Sequence, residues 1–146
     1  MDQEPARSLA AAVVAELSDL YPQIVIDGPL MPKAGPGELS PPRGTFLVGF
    51  DDTGEPVCCG GVKALPDGAC EIKRMYVVPD ARGRGIAKEL LGALEDAARE
   101  LGYEVARLDT GPRQGHAERL YRAAGYVPIE NFNANPVASF FGEKAL

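Results

Sequence analysis

Long apolar runs, positive charge, cysteine and histidine are all scarce in this sequence. No apolar stretch approaches the roughly 20 residues that a membrane-spanning helix needs. The start, Met1-Asp2-Gln3-Glu4, is acidic where a secretory leader is basic, so the expected location is the cytoplasm. Asp and Glu outnumber Lys and Arg by 21 to 15, a formal net charge of −6. Such a field repels nucleic acid and anionic membrane, so neither is an expected partner, whereas a cationic ligand is compatible with it. The three cysteines, Cys58, Cys59 and Cys70, follow no metal-ligand spacing. Cys58 and Cys59 are adjacent and point to opposite faces of a strand. They read as small buried residues in a reducing compartment, with no metal site and no disulfide expected. There is no internal repeat and no low-complexity tail.

What is present fits one globular domain over residues 1–146, with 45% hydrophobic and 25% charged residues. Pro5 suits a first helical turn, and Leu9, Val13, Leu17 and Leu20 follow at helical spacing until Tyr21-Pro22. Residues 23–44 carry five prolines and repeated glycines and predict an irregular loop, with Ile24–Ile26 a candidate short strand. Thr45–Phe50, Pro56–Leu65 and Ala69–Val78 are separated by turn sequences and predict an antiparallel meander, with a bulge at Gly60-Gly61. Ile86, Leu90, Leu94, Ala97 and Leu101 mark one face of a helix from Gly85 to Leu101, which Gly102 caps. Glu104–Asp109 then reads as a strand that can lie parallel to Ala69–Val78. A short helix over Ala117–Ala124 and closing strands at Tyr126–Ile129 and Val137–Phe141 complete an α+β pattern: a mixed sheet flanked by helices.

The segment Val77-Val78-Pro79-Asp80-Ala81-Arg82-Gly83-Arg84-Gly85-Ile86-Ala87 carries the strongest chemical signal. A strand ends and a glycine-rich turn opens a long amphipathic helix. The first N–H groups of that helix have no internal partner and lie at the positive end of its dipole. Gly83 and Gly85 let a ligand approach the backbone, and Arg82 and Arg84 add positive charge, a combination suited to a pyrophosphate. No Gly-Lys-Ser/Thr follows, so it is not a P-loop, and the third glycine of a dinucleotide fingerprint is missing.

Arg82-Gly83-Arg84-Gly85-Ile86-Ala87 resembles the Arg/Gln-x-x-Gly-x-Gly/Ala signature of the GCN5-related N-acetyltransferase (GNAT) family. Ala117-Glu118-Arg119-Leu120-Tyr121-Arg122-Ala123-Ala124-Gly125-Tyr126 resembles that family's Ala-x-x-Leu-Tyr-x-x-x-Gly-Phe/Tyr signature. Glu71-Ile72-Lys73-Arg74-Met75-Tyr76-Val77 is similar to its central strand. The three occur in the family's order and spacing; the likeness is good from Thr45 to about Phe141 and poor over the first forty residues. It implies a mixed, mostly antiparallel sheet whose two central parallel strands, Glu71–Val78 and Glu104–Asp109, splay apart. It implies acetyl-CoA as co-substrate, with its pantetheine along Met75, Tyr76 and Val77 and its diphosphate on Arg82, Gly83, Arg84, Gly85, Ile86 and Ala87. Gln114 stands where many members carry an asparagine near the cofactor. Members commonly begin with a strand before the first helix, and none is legible here.

The activity the resemblance implies is transfer of an acetyl group to an amine. Such an amine must lose a proton, and the departing thiolate must gain one. The resemblance implies Tyr121 as the acid. Glu71, on the central strand, is the candidate base, acting directly or through water. By strict alternation Glu71 shares a face with Lys73, Met75 and Val77, unless a bulge breaks the register. The single histidine, His116, is a surface or helix-capping residue or an alternative base. The backbone N–H of Val77 is the oxyanion donor by analogy. A small-molecule amine acceptor, attacked directly in a ternary complex by a monomer or homodimer, is the expected arrangement. The alternatives are an acyl-CoA-binding sensor without turnover and an acetyltransferase for protein lysines or N-termini.

Overall fold

The structure is a computed structural model and describes all residues, 1–146. The first element is α1 (Ala6–Leu20), with no strand before it. The expected meander follows as β1 (Thr45–Phe50), β2 (Pro56–Ala64) and β3 (Cys70–Val77). A 3-10 turn at Pro79–Ala81 leads into α2 (Ile86–Glu100). Then come β4 (Val105–Thr110), α3 (Gly115–Ala123), β5 (Val127–Pro128) and β6 (Phe140–Ala145). The six strands run in the order β1-β2-β3-β4-β6-β5. Only β3 and β4 are parallel, as a helical crossover between them allows.

The two long helices cover opposite faces of the sheet. Leu9 and Val13 of α1 pack with Cys59, Phe46, Val48 and Tyr76. Leu90, Leu91, Leu94 and Ala98 of α2 pack with Cys58, Val62, Cys70, Ile72, Ala106 and Leu108. Cys58 and Cys59 thus serve different faces, as adjacency in a strand requires. Each of these leucines contributes about 1.5–3 kcal/mol by leaving water.

The bulge lies where the glycine pair predicts a disturbance, but the extra residue is on the facing strand. Cys59 faces Tyr76 and Gly61 faces Lys73, so Gly60 alone stands opposite Arg74 and Met75. A Cβ at Gly60 would sit 2.7 Å from the Leu94 side chain, and one at Gly61 2.7 Å from Leu39. Arg74 takes φ 60, a left-handed conformation that non-glycine residues rarely adopt. Strict alternation fails beyond this point. Met75 and Val77 turn to the α2 side, joining Cys70 and Ile72, while Tyr76 faces α1. Glu71 therefore does not share a face with Met75 and Val77.

Two other expectations are corrected. Ile24–Ile26 is not a strand, and residues 23–44 form no helix or strand at all. The segment is nonetheless packed: Ile26, Ala34 and Leu39 are buried. Lys63 and Tyr103 tie it down by donating to the carbonyls of Lys33 and Arg43, both at 2.6 Å. The last strand is Phe140–Ala145 and not Val137–Phe141. The reason is Asn135, whose Oδ1 accepts the N–H groups of Val137 and Ala138 and holds them in a turn.

Within α2, Glu95 is a buried carboxylate that the apolar periodicity does not reveal. It accepts from the Tyr126 hydroxyl at 2.8 Å and from Lys144 Nζ at 3.0 Å, joining α2 to the end of α3 and to β6. Burial, with the Glu95 charge beside it, pushes the Tyr126 phenol well above its ordinary range, so the hydroxyl stays a donor. Lys144→Met removes the only cation on Glu95 and is expected to cost about 2–3 kcal/mol in urea unfolding, near the lower end for a broken buried pair because Lys144 keeps some exposure. A loss under about 0.5 kcal/mol, the scale of an ordinary surface change, would show that this carboxylate is not anchored by charge.

Candidate active site

The site follows from how little β3 and β4 pair. Their register holds only Cys70 with Ala106 and Glu71 with Arg107. Beyond Glu71, β3 has no partner on that side, and the register leaves Arg74 and Met75 without a partner on β2 as well. A β-strand without a neighbour presents free N–H and C=O groups. The opening expected between the two central strands is therefore present.

Two clefts meet in this opening. The larger, about 430 Å³, runs from Met75, Tyr76 and Val77 past Gly83, Gly85 and Ile86 to α3. The smaller, about 120 Å³, lies between α1, the strand ends and the packed segment that supplies Ile26, Met31 and Pro32. Met75, Tyr76, Gln114 and Tyr121 border both.

At the far end of the larger cleft, the amides of Gly83 to Ala87 donate to no acceptor of the protein, and no side chain caps α2. Gly83 and Gly85 have φ 80 and 79, which glycine adopts without strain and which turns the loop into the helix. The amide of Arg82 does not share this freedom, since it donates to the Pro79 carbonyl at 3.2 Å. Its guanidinium is committed too. Nε donates to the Val77 carbonyl at 2.8 Å, Nη2 to Glu16 at 2.6 Å, and the group lies 5.5 Å over the Tyr76 ring. Arg82 thus pins the loop to β3 and α1, while Arg84 is exposed with one 3.3 Å bond to the Asp80 carbonyl. The cleft can hold an elongated ligand with an anionic end: free amides and a helix dipole at one end, unpaired strand at the other. An acyl-CoA has that form.

Tyr121 stands where the clefts join. Burial, with the Asp109 charge adding to it, pushes its phenol well above the ordinary range, so it is a protonated donor at neutral pH. Its hydroxyl contacts Met75 Sδ at 3.9 Å and no stronger acceptor. Gln114 Oε1 is held by the Tyr21 hydroxyl and the Gly111 amide, both at 3.2 Å, which leaves its Nε2 free toward the clefts. Tyr21, which the sequence marks only as a helix end, also accepts from the Arg113 amide at 3.2 Å and so joins α1 to the loop before α3. His116 is exposed and borders the larger cleft only.

Glu71 borders neither cleft. It is fully buried, with Oε1 accepting from Asn133 Nδ2 at 2.8 Å and facing Lys73 Nζ at 3.2 Å. Burial raises its carboxyl above the usual range, while Lys73 pulls it back down. Direct contact with a ligand is thus closed to it. Asp109, at the end of β4, does border the smaller cleft. It shares Asn133, at 2.8 Å, and Lys73, at 3.8 Å, with Glu71. Sequence reasoning missed Asp109 because a lone aspartate near a strand end carries no signature. The three cysteine thiols are buried and take no part; burial pushes Cys59 and Cys70 up to about 12.

Comparison with known proteins agrees with this geometry. An uncharacterised N-acetyltransferase of Schizosaccharomyces pombe is 35% identical over 68% of this chain and 62% of its own length. This chain therefore aligns with less than two thirds of that relative. An IAA acetyltransferase of Azospirillum brasilense is 38% identical over 74% of this chain and 72% of its own. The structure of a candidate acyl-CoA N-acyltransferase from Klebsiella pneumoniae superposes with a TM-score of 0.77 at 29% identity, covering 99% of this chain and 94% of that one. More distant neighbours that share the fold were solved with CoA or acetyl-CoA bound. The profile of the Acetyltransferase (GNAT) family matches residues 11–126, and the chain belongs to that family.

Proposed function

We propose that this protein transfers the acetyl group of acetyl-CoA to a primary amine of a small molecule, by direct attack while both substrates are bound. The observation that carries the reading is the meeting of two clefts at Tyr121, one ending on the free amides of Gly83–Ala87 and the other closed around Asp109. The smaller cleft, about 120 Å³ and lined in part by Ile26, Met31 and Pro32, is of a size for a small acceptor. The Azospirillum relative is named for a small-molecule acceptor, which supports the same class.

Acetyl-CoA supplies an activated thioester, and the chain's own residues do the rest. The amides of Gly83, Arg84, Gly85, Ile86 and Ala87 hold the diphosphate, with Arg84 adding charge and Arg82 fixing the loop. The edge of β3 that β4 leaves open at Met75, Tyr76 and Val77 aligns the pantetheine arm, and the Val77 N–H faces the carbonyl oxygen as charge develops there. Gln114 Nε2 steadies the junction. The acceptor nitrogen, neutral after losing its first proton to solvent, bonds to the acetyl carbon as the carbon–sulfur bond breaks. Asp109 takes a proton from that nitrogen, with Glu71 behind it holding Lys73 and Asn133 in place. Tyr121 gives its proton to the departing sulfur and recovers one from solvent. The overall change is ammonium plus thioester to amide, thiol and one proton.

Tyr121→Phe removes a proton donor and little volume. Turnover measured by thiol release is expected to fall about 100-fold, with acetyl-CoA affinity by calorimetry unchanged. Unchanged turnover across the pH range would rule out Tyr121 as the acid. Gly85→Val places a β-branched residue at φ 79 on the cofactor loop. That conformation costs of order 1–3 kcal/mol, so acetyl-CoA affinity is expected to drop about tenfold or more. Full affinity in this variant would mean the diphosphate binds elsewhere.

A further inference from the structure

In the whole protein only three buried side-chain polar atoms lack a hydrogen-bond partner: Glu71 Oε2, Arg74 Nε and Thr110 Oγ1. Native proteins satisfy nearly all such atoms, so each exception calls for a reason. The three belong to the facing strands β3 and β4. Arg74 and Thr110 both border the acceptor cleft. Two of the three unsatisfied atoms thus belong to residues lining one cleft.

Arg74 is the informative one. Its side chain is 8% exposed, and its single ionic partner is Asp27, which is 62% exposed and comes from the packed segment of residues 23–44. Asp27 uses one oxygen on Nη2, at 2.6 Å, and leaves the neighbouring Nε open. A guanidinium presents Nε and Nη2 side by side, the edge that matches both oxygens of a carboxylate. The bond to Asp27 is therefore half of a bidentate pair, made by a residue that water can readily take back. The protein holds Arg74 in this place through a left-handed backbone conformation at the bulge, φ 60, that an ordinary strand would not require. Across the cleft, Asp109 supplies the opposite charge.

Resting on the transferase reading, we propose that the acceptor is a small amino carboxylate. Its acid group takes the Nε–Nη2 edge of Arg74 in place of Asp27, with the Thr110 hydroxyl available to one oxygen. Its amino group lies toward Asp109 and Tyr121. Lys73 is already committed to Glu71 and Asp109 and does not compete for the acid group. An amine without a carboxylate leaves Arg74 Nε buried and unpaired, so discrimination comes from that unmet donor.

The test is a set of matched pairs, amino acids and short ω-amino acids against their decarboxylated amines, with CoA release as the readout. For the wild-type protein, kcat/KM is expected to favour the carboxylate member by about 10- to 100-fold. In Arg74→Gln the ratio falls toward one, through a higher KM for the acid member. In Asp27→Asn, a change at an exposed residue, KM for the acid member falls because the internal competitor is gone. Equal kcat/KM within the wild-type pairs, or a ratio that Arg74→Gln leaves intact, overturns the proposal while the transferase reading stands. Calorimetry of the same compounds in the presence of CoA separates the two claims. Binding of acidic amines by wild type and not by Arg74→Gln, with no turnover of any amine, supports the Arg74 site and sinks the transferase reading.

Discussion

The site depends on one constraint: β3 and β4 stop pairing after two residues. A sheet that stayed closed would spend its backbone groups on itself and offer none to a ligand. Here β3 carries an extra residue at Arg74 and Met75, opposite the single residue Gly60, and a bulge increases local twist and bends the strand that holds it. The glycine is needed because Leu94 of α2 occupies the space a side chain would fill. Core packing on one face, a bulge in the central strand and an opening on the other side of that strand are linked in space.

The same opening explains why polar groups gather there. Glu71, Lys73 and Asp109 stand on the inner edges of the parted strands, with Asn133 and Asn135 closing over them from the loop before β6. Ion pairs in such a place are costly to bury, and here each carboxylate has both the lysine and an asparagine against it. Glu71 borders neither cleft, and it contacts the same lysine and asparagine that contact Asp109. The tie between Arg82, Val77 and Glu16 fixes the glycine loop before α2 relative to β3 and α1.

Most of the framework was legible because it follows from local chemistry. The α2 stripe, the turn sequences of the meander and the strand–glycine–helix junction at Val77–Ala87 are patterns of neighbouring residues, and each is found in place. The disturbance at Gly60-Gly61 was legible as well, since paired glycines in a strand mark a close approach. What was not legible depends on distant partners. Residues 23–44 hold their shape through contacts with Lys63 and Tyr103, far along the chain. The start of β6 is set by Asn135, and the burial of Glu95 by Lys144 and Tyr126. Asp109 and Tyr21 carry no motif, and only the fold shows that one faces a cleft and the other braces it. Alternation places Glu71 on the face of Met75 and Val77 only in a regular strand, and the inserted residue reverses every side chain beyond it.

The central claim is that unpaired amides at the start of α2 and unpaired backbone on β3 together grip one extended ligand. Backbone amide chemical shifts followed during titration with CoA test it residue by residue. The account predicts that the largest changes fall on Gly83–Ala87 and on Met75–Val77, saturating together at one affinity. Changes confined to other surfaces, or saturation of the two segments at different CoA concentrations, would contradict it.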